Sequence, residues 1–340
     1  MKAQLKELAS IILRSPSIAR FVGQRRRIML VSLCFHRFGD QHDNGDGHDL
    51  DELDESLRWL ARSGFVFGDA SETYRGLARG RFPDRPTVVV TVDDGYADLL
   101  SAIPIFSRHG CPVTVFLATD FLDRRAPLWW DQIQLLLSGA SGGVSLDDVG
   151  GITWSANWDT VADRRRSGEE LIELVKRSLE PTRYAVIEAL AQISGLPVPA
   201  GQLSGYAPLA WDEVRSLERE GVRFGPHTHT HPILSAVDDA GARYEIFTSW
   251  SRIREETRYP LPVFAYPDGT PWSYTVRDRL LLQEAGIDVA VTMDARWMLP
   301  SAPPIDAYQI GRMAFPLRFA DLQLSVLRLG RSLRHRHPSP

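Results

Sequence analysis

Residues 88–100 have the sequence VVVTVDDGYADLL, a run of mostly β-branched residues that ends in two aspartates and a glycine. An almost continuous apolar run bounded by a turn signal is typical of a strand that is buried on both faces of a parallel sheet. Asp93 and Asp94 then follow directly at the end of this strand, where adjacent side chains can point in different directions. Taken alone, Asp-Asp-Gly is explained equally well as a turn with a helix N-cap.

Six further runs have the same character, and helical patterns separate several of them. They are RIMLVSLCF (27–35), CPVTVFLA (111–118), GVRFG (221–225), PVFAY (262–266), DVAVTM (288–293) and YQIGRMAF (308–315). Strands that alternate with helices predict an α/β fold, here a distorted (β/α) barrel of TIM type with about seven parallel strands. In such a barrel the functional groups lie in the loops after the carboxyl ends of the strands.

Residues 119–209 interrupt this alternation. We predict that they form a mostly helical insertion that covers one side of the barrel mouth. Their four tryptophans, at positions 129, 130, 154 and 158, are expected to form a small core of the insertion itself.

The charge of the chain is unevenly distributed. The 340 residues carry a net charge of −4, yet residues 1–27 contain seven basic residues against Glu7, and residues 322–340 contain four arginines and no acid. The remaining 28 basic and 42 acidic residues give residues 28–321 a charge of −14. We therefore divide the chain into a basic N-terminal helical segment (1–27), a main domain (28–317) with the insertion, and a basic C-terminal helix and tail (318–340).

The same features bear on location and partners. The acidic main domain argues against general affinity for nucleic acid. No secretory signal and no apolar window of about 18 residues is present, so we expect a cytoplasmic protein. The basic ends have two interpretations, which the sequence leaves open: surface helices that pack on the barrel, or peripheral attachment to the anionic inner face of a membrane.

Cys34 and Cys111 lie within apolar runs and are expected to be buried free thiols.

Three of the nine histidines lie close together in GPHTHTHPIL (225–234). On a strand His227, His229 and His231 would share one side, whereas on a helical turn only His227 and His231 would. One carboxylate and two imidazoles are a typical ligand set for a catalytic divalent metal with an open coordination position. The aspartate pair and the histidines together therefore indicate a metal site.

Three motifs resemble those of polysaccharide deacetylases, the family 4 carbohydrate esterases that contain the NodB-homology domain. They are TVDDGYAD (91–98), HTHTHPIL (227–234) and FAYPDG (264–269), and RIMLVSLCFHRF (27–38) resembles the first strand of the branch found in exopolysaccharide pathways. The resemblance covers roughly residues 28–317. It implies a metal-dependent hydrolase that removes acetyl from an N-acetylated sugar of a polysaccharide or of a glycolipid precursor, including a lipid-linked saccharide.

The resemblance also assigns roles to residues. Asp94, His227 and His231 would be the metal ligands, Zn²⁺ being the first choice over Co²⁺, Ni²⁺ or Mn²⁺, and Asp93 would be the general base. His229 would occupy a variable position at the rim. The backbone N–H at Asp268 would bind the oxyanion that forms on the substrate.

Two positions depart from the family pattern. Ala265 stands where many members have an arginine that holds the catalytic base, so that partner is expected to be missing. Arg312 stands where many have a histidine that protonates the leaving amine, and arginine does not release a proton near neutral pH. His36 is our candidate for the replacement acid, with a structural histidine at the strand end as the alternative. Trp297 is a candidate for stacking on a sugar ring, with simple packing as the alternative.

Other functions remain open on the same residues. An O-acetyl esterase or a deformylase would use the same site, and a non-catalytic saccharide-binding descendant would keep only the metal. The presence of both Asp93 and Asp94 favours an enzyme, because a binding protein needs the metal ligand but not the base.

Overall fold

The computed structural model describes residues 2–39, 47–178, 180–201, 203, 205–294 and 305–329. The strands are β1 (Leu30–Phe35), β2 (Val66–Gly68), β3 (Thr87–Asp94), β4 (Val113–Leu117), β5 (Gly143–Val149), β6 (Ile152–Asn157), β7 (Arg223–Pro226), β8 (Val263–Ala265), β9 (Val289–Thr292), β10 (Ile310–Gly311) and β11 (Met313–Ala314). The helices are α1 (Lys2–Leu13), α2 (Pro16–Arg25), α3 (Leu50–Arg62), α4 (Ala70–Ala78), α5 (Leu99–Arg108), α6 (Thr119–Arg124), α7 (Trp129–Gly139), α8 (Val161–Lys176), α9 (Glu180–Ser194), α10 (Trp211–Arg219), α11 (Asp239–Glu256), α12 (Val276–Glu284) and α13 (Phe319–Val326).

Two parallel sheets form the two sides of a distorted barrel. One sheet has the order β11-β1-β3-β4-β7, with β2 paired to the first residues of β3, and the other has the order β10-β9-β8. Residues 310–314 join the sheets on one side, because Ile310 pairs with Val291 of β9 and Ala314 pairs with Cys34 of β1. All seven predicted runs form strands, although the last divides into β10 and β11 and strand β2 was not predicted, and the predicted distorted barrel is confirmed.

On the other side the barrel closes less regularly. Between β7 and β8 a hydrogen bond of 2.9 Å runs from the Leu261 N–H to the Phe224 carbonyl. A Cβ added to Gly225 would lie 2.5 Å from the Val263 carbonyl oxygen, so glycine allows the two strands to approach each other here.

The alternation of side chains along β3 determines what faces the barrel interior. Val88, Val90 and Val92 belong to the larger core, together with residues of the surrounding helices, whereas Val89 packs in a second core with β8, β9 and β10. Because successive side chains of a strand point to opposite faces, Asp93 lies on the same side as Val89. Ile310 belongs to this second core too, so Arg312, two residues further on, faces the interior as well.

The insertion between β4 and β7 contains the four helices α6 to α9 and an antiparallel hairpin, β5–β6. Its helical part agrees with the prediction, whereas the hairpin was not predicted. A separate core holds it together, formed by residues such as Leu136, Val144, Trp158, Leu171 and Val186. Three of the four tryptophans belong to this core as expected, because Trp158 is buried in it and Trp129 and Trp154 pack against it, whereas Trp130 packs against the barrel core.

The basic N-terminal segment forms two helices, and Pro16 is the first residue of the second, where its missing N–H costs nothing. α1 packs on α13 through a buried hydrogen bond of 2.6 Å from Ser10 Oγ to Gln323 Oε1. The Trp59 indole N–H of α3 donates to the Leu13 carbonyl at 2.7 Å. Among the described helices, none is long and apolar enough to cross a membrane. Cys34 and Cys111 are buried and free, as expected.

Candidate active site

Asp94, His227 and His231 converge at the carboxyl ends of β3 and β7. Asp94 Oδ1 lies 3.6 Å from His227 Nε2 and 3.3 Å from His231 Nε2, and the two Nε2 atoms are 3.2 Å apart. One ligand atom from each residue therefore lies within 4.8 Å of the other two. The histidines are neither on a strand nor on a helical turn: they lie in the loop that follows β7.

The chemistry of these atoms fits a divalent cation. The buried Asp94 Oδ1 makes no hydrogen bond. His227 Nδ1 donates to the Ala265 carbonyl at 2.7 Å, which leaves the lone pair of Nε2 directed at the cluster. A metal-binding histidine usually makes this kind of bond with its other nitrogen, because the bond fixes the tautomer and the ring orientation. Asp94 Oδ1 and His227 Nε2 are convergent acceptors, and His231 Nε2 joins them as a third when its proton is on Nδ1, so the group is a candidate site for a cation.

The backbone around the cluster is strained. Asp94, Thr228, His231 and Asp268 have φ values of 73°, 64°, 59° and 61°. Non-glycine residues adopt this left-handed region at a cost of about 1 kcal/mol or more each, and such residues concentrate at functional sites. Here the left-handed turns direct the side chains of residues 94 and 231 toward one point.

Asp93 forms a buried ion pair with Arg312. The guanidinium donates from Nη1 to Oδ1 at 2.6 Å and from Nη2 to Oδ2 at 2.7 Å, and Nη1 also donates to Thr91 Oγ1 at 2.9 Å. The expectation that the base lacks an arginine partner, drawn from Ala265, is therefore wrong. The arginine comes from the segment between β10 and β11, where the interior-facing register places it opposite Asp93.

Electrostatics keep Asp93 ionised. Burial alone would raise the pKa of this carboxyl, but the charge of Arg312 outweighs burial and holds the pKa well below its ordinary value. Burial alone would raise the pKa of Asp94 too, but the His231 ring next to it outweighs burial and lowers the pKa. Burial lowers the pKa of His227 to about 4, so this ring is neutral near pH 7, as a metal ligand must be.

Glu245 of α11 organises the histidine loop from below. This buried carboxylate accepts hydrogen bonds from the His229 N–H at 2.7 Å, the Thr230 N–H at 2.8 Å and the Thr230 hydroxyl at 2.7 Å. His229 itself is buried, and its Nδ1 lies 2.8 Å from Thr119 Oγ1. The prediction of a rim position for His229 is wrong, because its ring is buried against Thr119 of α6.

A cavity of about 400 Å³ opens over the cluster. The insertion forms part of its wall: the Trp130 ring packs edge-on against His231 at 4.7 Å, and Lys176 Nζ makes an ion pair with Asp268. The insertion thus covers one side of the barrel mouth. Asp268 lies in the loop after β8, and its carboxylate also accepts a hydrogen bond from Thr270.

The remaining candidates are placed differently. His36 lines the same cavity, and one of its ring nitrogens, Cys34 Sγ and an Asp93 oxygen lie within 4.8 Å of one another. This second group is a poor cation site, because both Asp93 oxygens already accept from Arg312. Trp297 lies outside the described residues.

Comparison with known proteins places this site in a family. The family model described as "Polysaccharide deacetylase" matches residues 81–290, which include Asp93, Asp94 and both convergent histidines. The chain belongs to the polysaccharide deacetylase family. YxkH of Bacillus subtilis (strain 168), whose name refers to the same family, is 23% identical over 123 residues, which are 34% of this chain and 43% of YxkH. The chain thus matches less than half the length of this curated relative.

Solved structures of deacetylases share the fold. The Streptococcus pyogenes deacetylase PplD, solved in complex with acetate, superposes with a TM-score of 0.56 at 13% identity, over 88% of this chain and 97% of PplD. IcaB from Ammonifex degensii gives 0.53 at 16% identity, over 88% and 97%. The BpsB deacetylase domain from Bordetella bronchiseptica gives 0.50 at 15% identity, over 84% and 96%. This member of the polysaccharide deacetylase family therefore has the barrel of the solved deacetylases, with the candidate Asp-His-His metal site at its mouth.

Two residues of the site were missed or misjudged from the sequence. The pairing of Arg312 with Asp93 was not predicted, because the orientation of Ile310, two residues before it, is known only from the structure. The role of Glu245 could not be predicted, because a glutamate in the middle of a helix is expected to be solvent-exposed, and only the structure shows that the histidine loop lies beside it.

Proposed function

We propose that this member of the family is a metal-dependent hydrolase that removes acetyl from an N-acetylated sugar of a polysaccharide or glycolipid precursor. The observation that carries the proposal is the pairing of two adjacent aspartates with different environments. Asp94 points its unbonded Oδ1 at the two histidines, whereas Asp93 is held beside them by Arg312. A metal-binding carboxylate and a separately anchored base are the two groups that this hydrolysis requires.

Asp94, His227 and His231 would hold the divalent cation, with Zn²⁺ the first candidate because three nitrogen and oxygen ligands with an open position suit it. When bound there, the cation supplies Lewis acidity for the acyl oxygen and lowers the pKa of water. Co²⁺, Ni²⁺ and Mn²⁺ are alternatives that the same ligands accept.

Asp93 would accept the proton of the attacking water. Its two hydrogen bonds to Arg312 fix the carboxylate plane, so that the remaining lone pairs are presented in one direction. The backbone N–H of Asp268 would donate to the oxyanion, a contribution worth about 3 kcal/mol of barrier for one such donor. The ion pair of its side chain with Lys176 links this loop to the insertion.

The cavity volume of about 400 Å³ falls within the range of small-molecule sites and suits the end of a saccharide rather than a broad polymer surface. Trp130 offers an aromatic edge there, and Lys176, Asp268 and Glu173 offer polar contacts for hydroxyl groups. Acetate, the acid released by deacetylation, is the ligand in the PplD structure, which supports the same chemistry for a related fold.

The test is amine release from acetylated chitooligosaccharide, measured with and without a chelator and with metal content determined in parallel. We expect Asp93→Asn to lose turnover while retaining metal, because Asn accepts no proton but leaves the three ligands unchanged. Asp147→Asn, an exposed change on β5, is the matched control and should retain turnover. Parental turnover by Asp93→Asn would contradict the assignment of the base.

The O-acetyl esterase and deformylase alternatives use the same residues, so a substrate panel separates them. Equal rates of hydrolysis of N-acetyl, O-acetyl and N-formyl sugars would leave the N-deacetylase proposal without support. A saccharide-binding descendant would bind metal and sugar but release neither amine nor acid from any of the three.

His36 remains our candidate for the acid that protonates the leaving amine, and its position in the cavity wall near Asp93 is compatible with this role. His36→Ala should then lose the alkaline limb of the pH–rate profile. An unchanged profile would remove His36 from the mechanism and leave it as a residue of the cavity wall.

A further inference from the structure

The two N-terminal helices carry an exposed apolar surface. Five large apolar side chains are involved, with exposed fractions of 58% for Leu8, 65% for Ile11, 56% for Ile12, 41% for Ile18 and 57% for Phe21. We call these five residues the N-terminal apolar face. Scattered exposed apolar residues are normal, but five within fourteen positions are a local concentration of exposed apolar side chains.

The periodicity shows that this surface belongs to amphipathic helices. Leu8, Ile11 and Ile12 of α1 have the i, i+3, i+4 spacing of one helix face, and Ile18 and Phe21 of α2 have the i, i+3 spacing. The opposite sides of both helices are used for packing, through the buried residues Ser10, Leu13, Ala19 and Gly23. The helices thus pack on the barrel through one side, and the N-terminal apolar face is on the other side, which faces outward.

Basic residues lie at the end of α2, next to Phe21 of this face. Arg25, Arg26 and Arg27 are exposed there, whereas Lys6 pairs with Asp321 of α13 and Arg14 with Glu55 of α3. Glu7 is the one acid of residues 1–27. The Arg25 guanidinium lies 5.3 Å from the centre of the Phe21 ring, so positive charge and apolar surface are directly adjacent. A long arginine side chain in this position can keep its charge at a polar boundary while its stem covers apolar surface.

The basic C-terminal end continues the same surface. Arg26 Nη1 donates to the Arg328 carbonyl at 3.2 Å, and Leu329 is 40% exposed. The sequence beyond Leu329 adds Arg331, Arg334 and Arg336 and no acid, although the structure of those residues lies outside the described part. The described part of the C-terminal end thus lies against Arg26 at the end of α2.

We propose that the N-terminal apolar face docks this protein onto an anionic membrane surface, with α1 and α2 lying in the interface. Apolar side chains next to arginines are the pattern of interfacial helices, and the acidic headgroups supply the complementary charge. A second copy of the chain fits less well, because an isologous contact would bring two strongly basic segments together. The residues of this face do not line the cavity above the metal site, so the attachment is separate from catalysis.

The test is sedimentation of the full chain with vesicles of phosphatidylcholine and phosphatidylglycerol, compared with pure phosphatidylcholine, at low and high salt. We expect binding to the anionic vesicles only, with release by salt. Ile11→Ser/Ile12→Ser should lower the partition coefficient at least about tenfold, because burying two isoleucine side chains in the membrane contributes more than a factor of ten to binding. The matched control is Val276→Ser/Leu280→Ser on α12, whose side chains are 75% and 58% exposed, and it should bind like the parent.

A second pair of variants tests the charge. Arg25→Gln/Arg27→Gln should lower binding roughly 30-fold, from about 1 kcal/mol for each basic residue near an anionic surface. Arg219→Gln/Arg254→Gln, exposed arginines elsewhere, should have no such effect. Turnover of a soluble substrate by each variant verifies folding.

Three results would overturn the proposal: no binding to anionic vesicles at low salt, an equal loss in the control variants, or a dimer in solution that Ile11→Ser/Ile12→Ser dissociates. The last result would assign this surface to a second copy of the chain.

Discussion

The ion pair between Arg312 and Asp93 allows the positioning of the proposed base to be tested separately from its chemistry. The Arg312 side chain has no exposed surface and that of Asp93 is 3% exposed. Arg312→Met keeps most of the side-chain volume but leaves a buried carboxylate without its partner, which typically costs about 3–5 kcal/mol. With roughly 2.1 cal/mol/K of unfolding entropy for each of the 340 residues, a loss of about 4 kcal/mol lowers Tm by about 6 °C.

A double-mutant cycle separates the ion pair from simple packing. In Asp93→Asn/Arg312→Met neither charge remains, so the double variant should be more stable than the sum of the two single losses predicts, by at least about 2 kcal/mol. Arg312→Lys is the intermediate case. Lysine restores the charge but cannot donate two parallel hydrogen bonds to one carboxylate, so it should recover only part of the stability.

Turnover of acetylated chitooligosaccharide is the second readout. Arg312→Met should lower kcat at least about 100-fold, the lower end of what a positioned general base contributes, since Asp93 loses both its orientation and the charge that keeps it ionised. In the Asp93→Asn background the same change should have no further effect on the residual rate. If Arg312→Met has parental Tm and parental kcat, the positioning role is refuted.

Three further predictions concern metal, pH and barrel closure. Chelation, or Asp94→Ala, should remove both the bound metal and turnover, and should lower Tm because a ligand that binds only the folded state stabilises it; parental Tm in metal-free protein would contradict this. Burial and the nearby charge of His36 lower the pKa of His48 to about 4. The unfolded chain therefore takes up the extra proton between about pH 6.5 and 4, and His48 should contribute about 3 kcal/mol to the fall in folding stability across this window, measured by urea unfolding. In His48→Phe the fall should be smaller by that amount, because only other buried groups such as His227 still contribute. Gly225→Ala should cost about 1–3 kcal/mol, because its Cβ would meet the Val263 carbonyl at 2.5 Å, whereas Gly76→Ala on α4, with its nearest neighbour at 3.4 Å, should not destabilise.

Most strands of the barrel were predictable, because a strand that is buried on both faces appears in the sequence as a continuous apolar run. A strand such as β3 has no solvent-exposed side, so its apolar run and the turn that ends it are visible in one window of sequence. The hairpin β5–β6 was missed for the opposite reason. Its exposed face carries polar residues such as Asp147, and its buried face packs on helices of the insertion that are distant in sequence.

The sequence by itself determined the elements and the ligand types: seven apolar runs, an aspartate pair at the end of one and a histidine cluster after another. Only the tertiary structure decided which groups meet. Arg312 reaches Asp93 across 219 positions because β10–β11 closes the barrel beside β1, with the interior-facing register of Ile310 continued at residue 312. Glu245 supports the histidine loop because α11 packs beneath it. Both contacts depend on barrel closure and register, which involve the whole chain, so no local window of residues contains them.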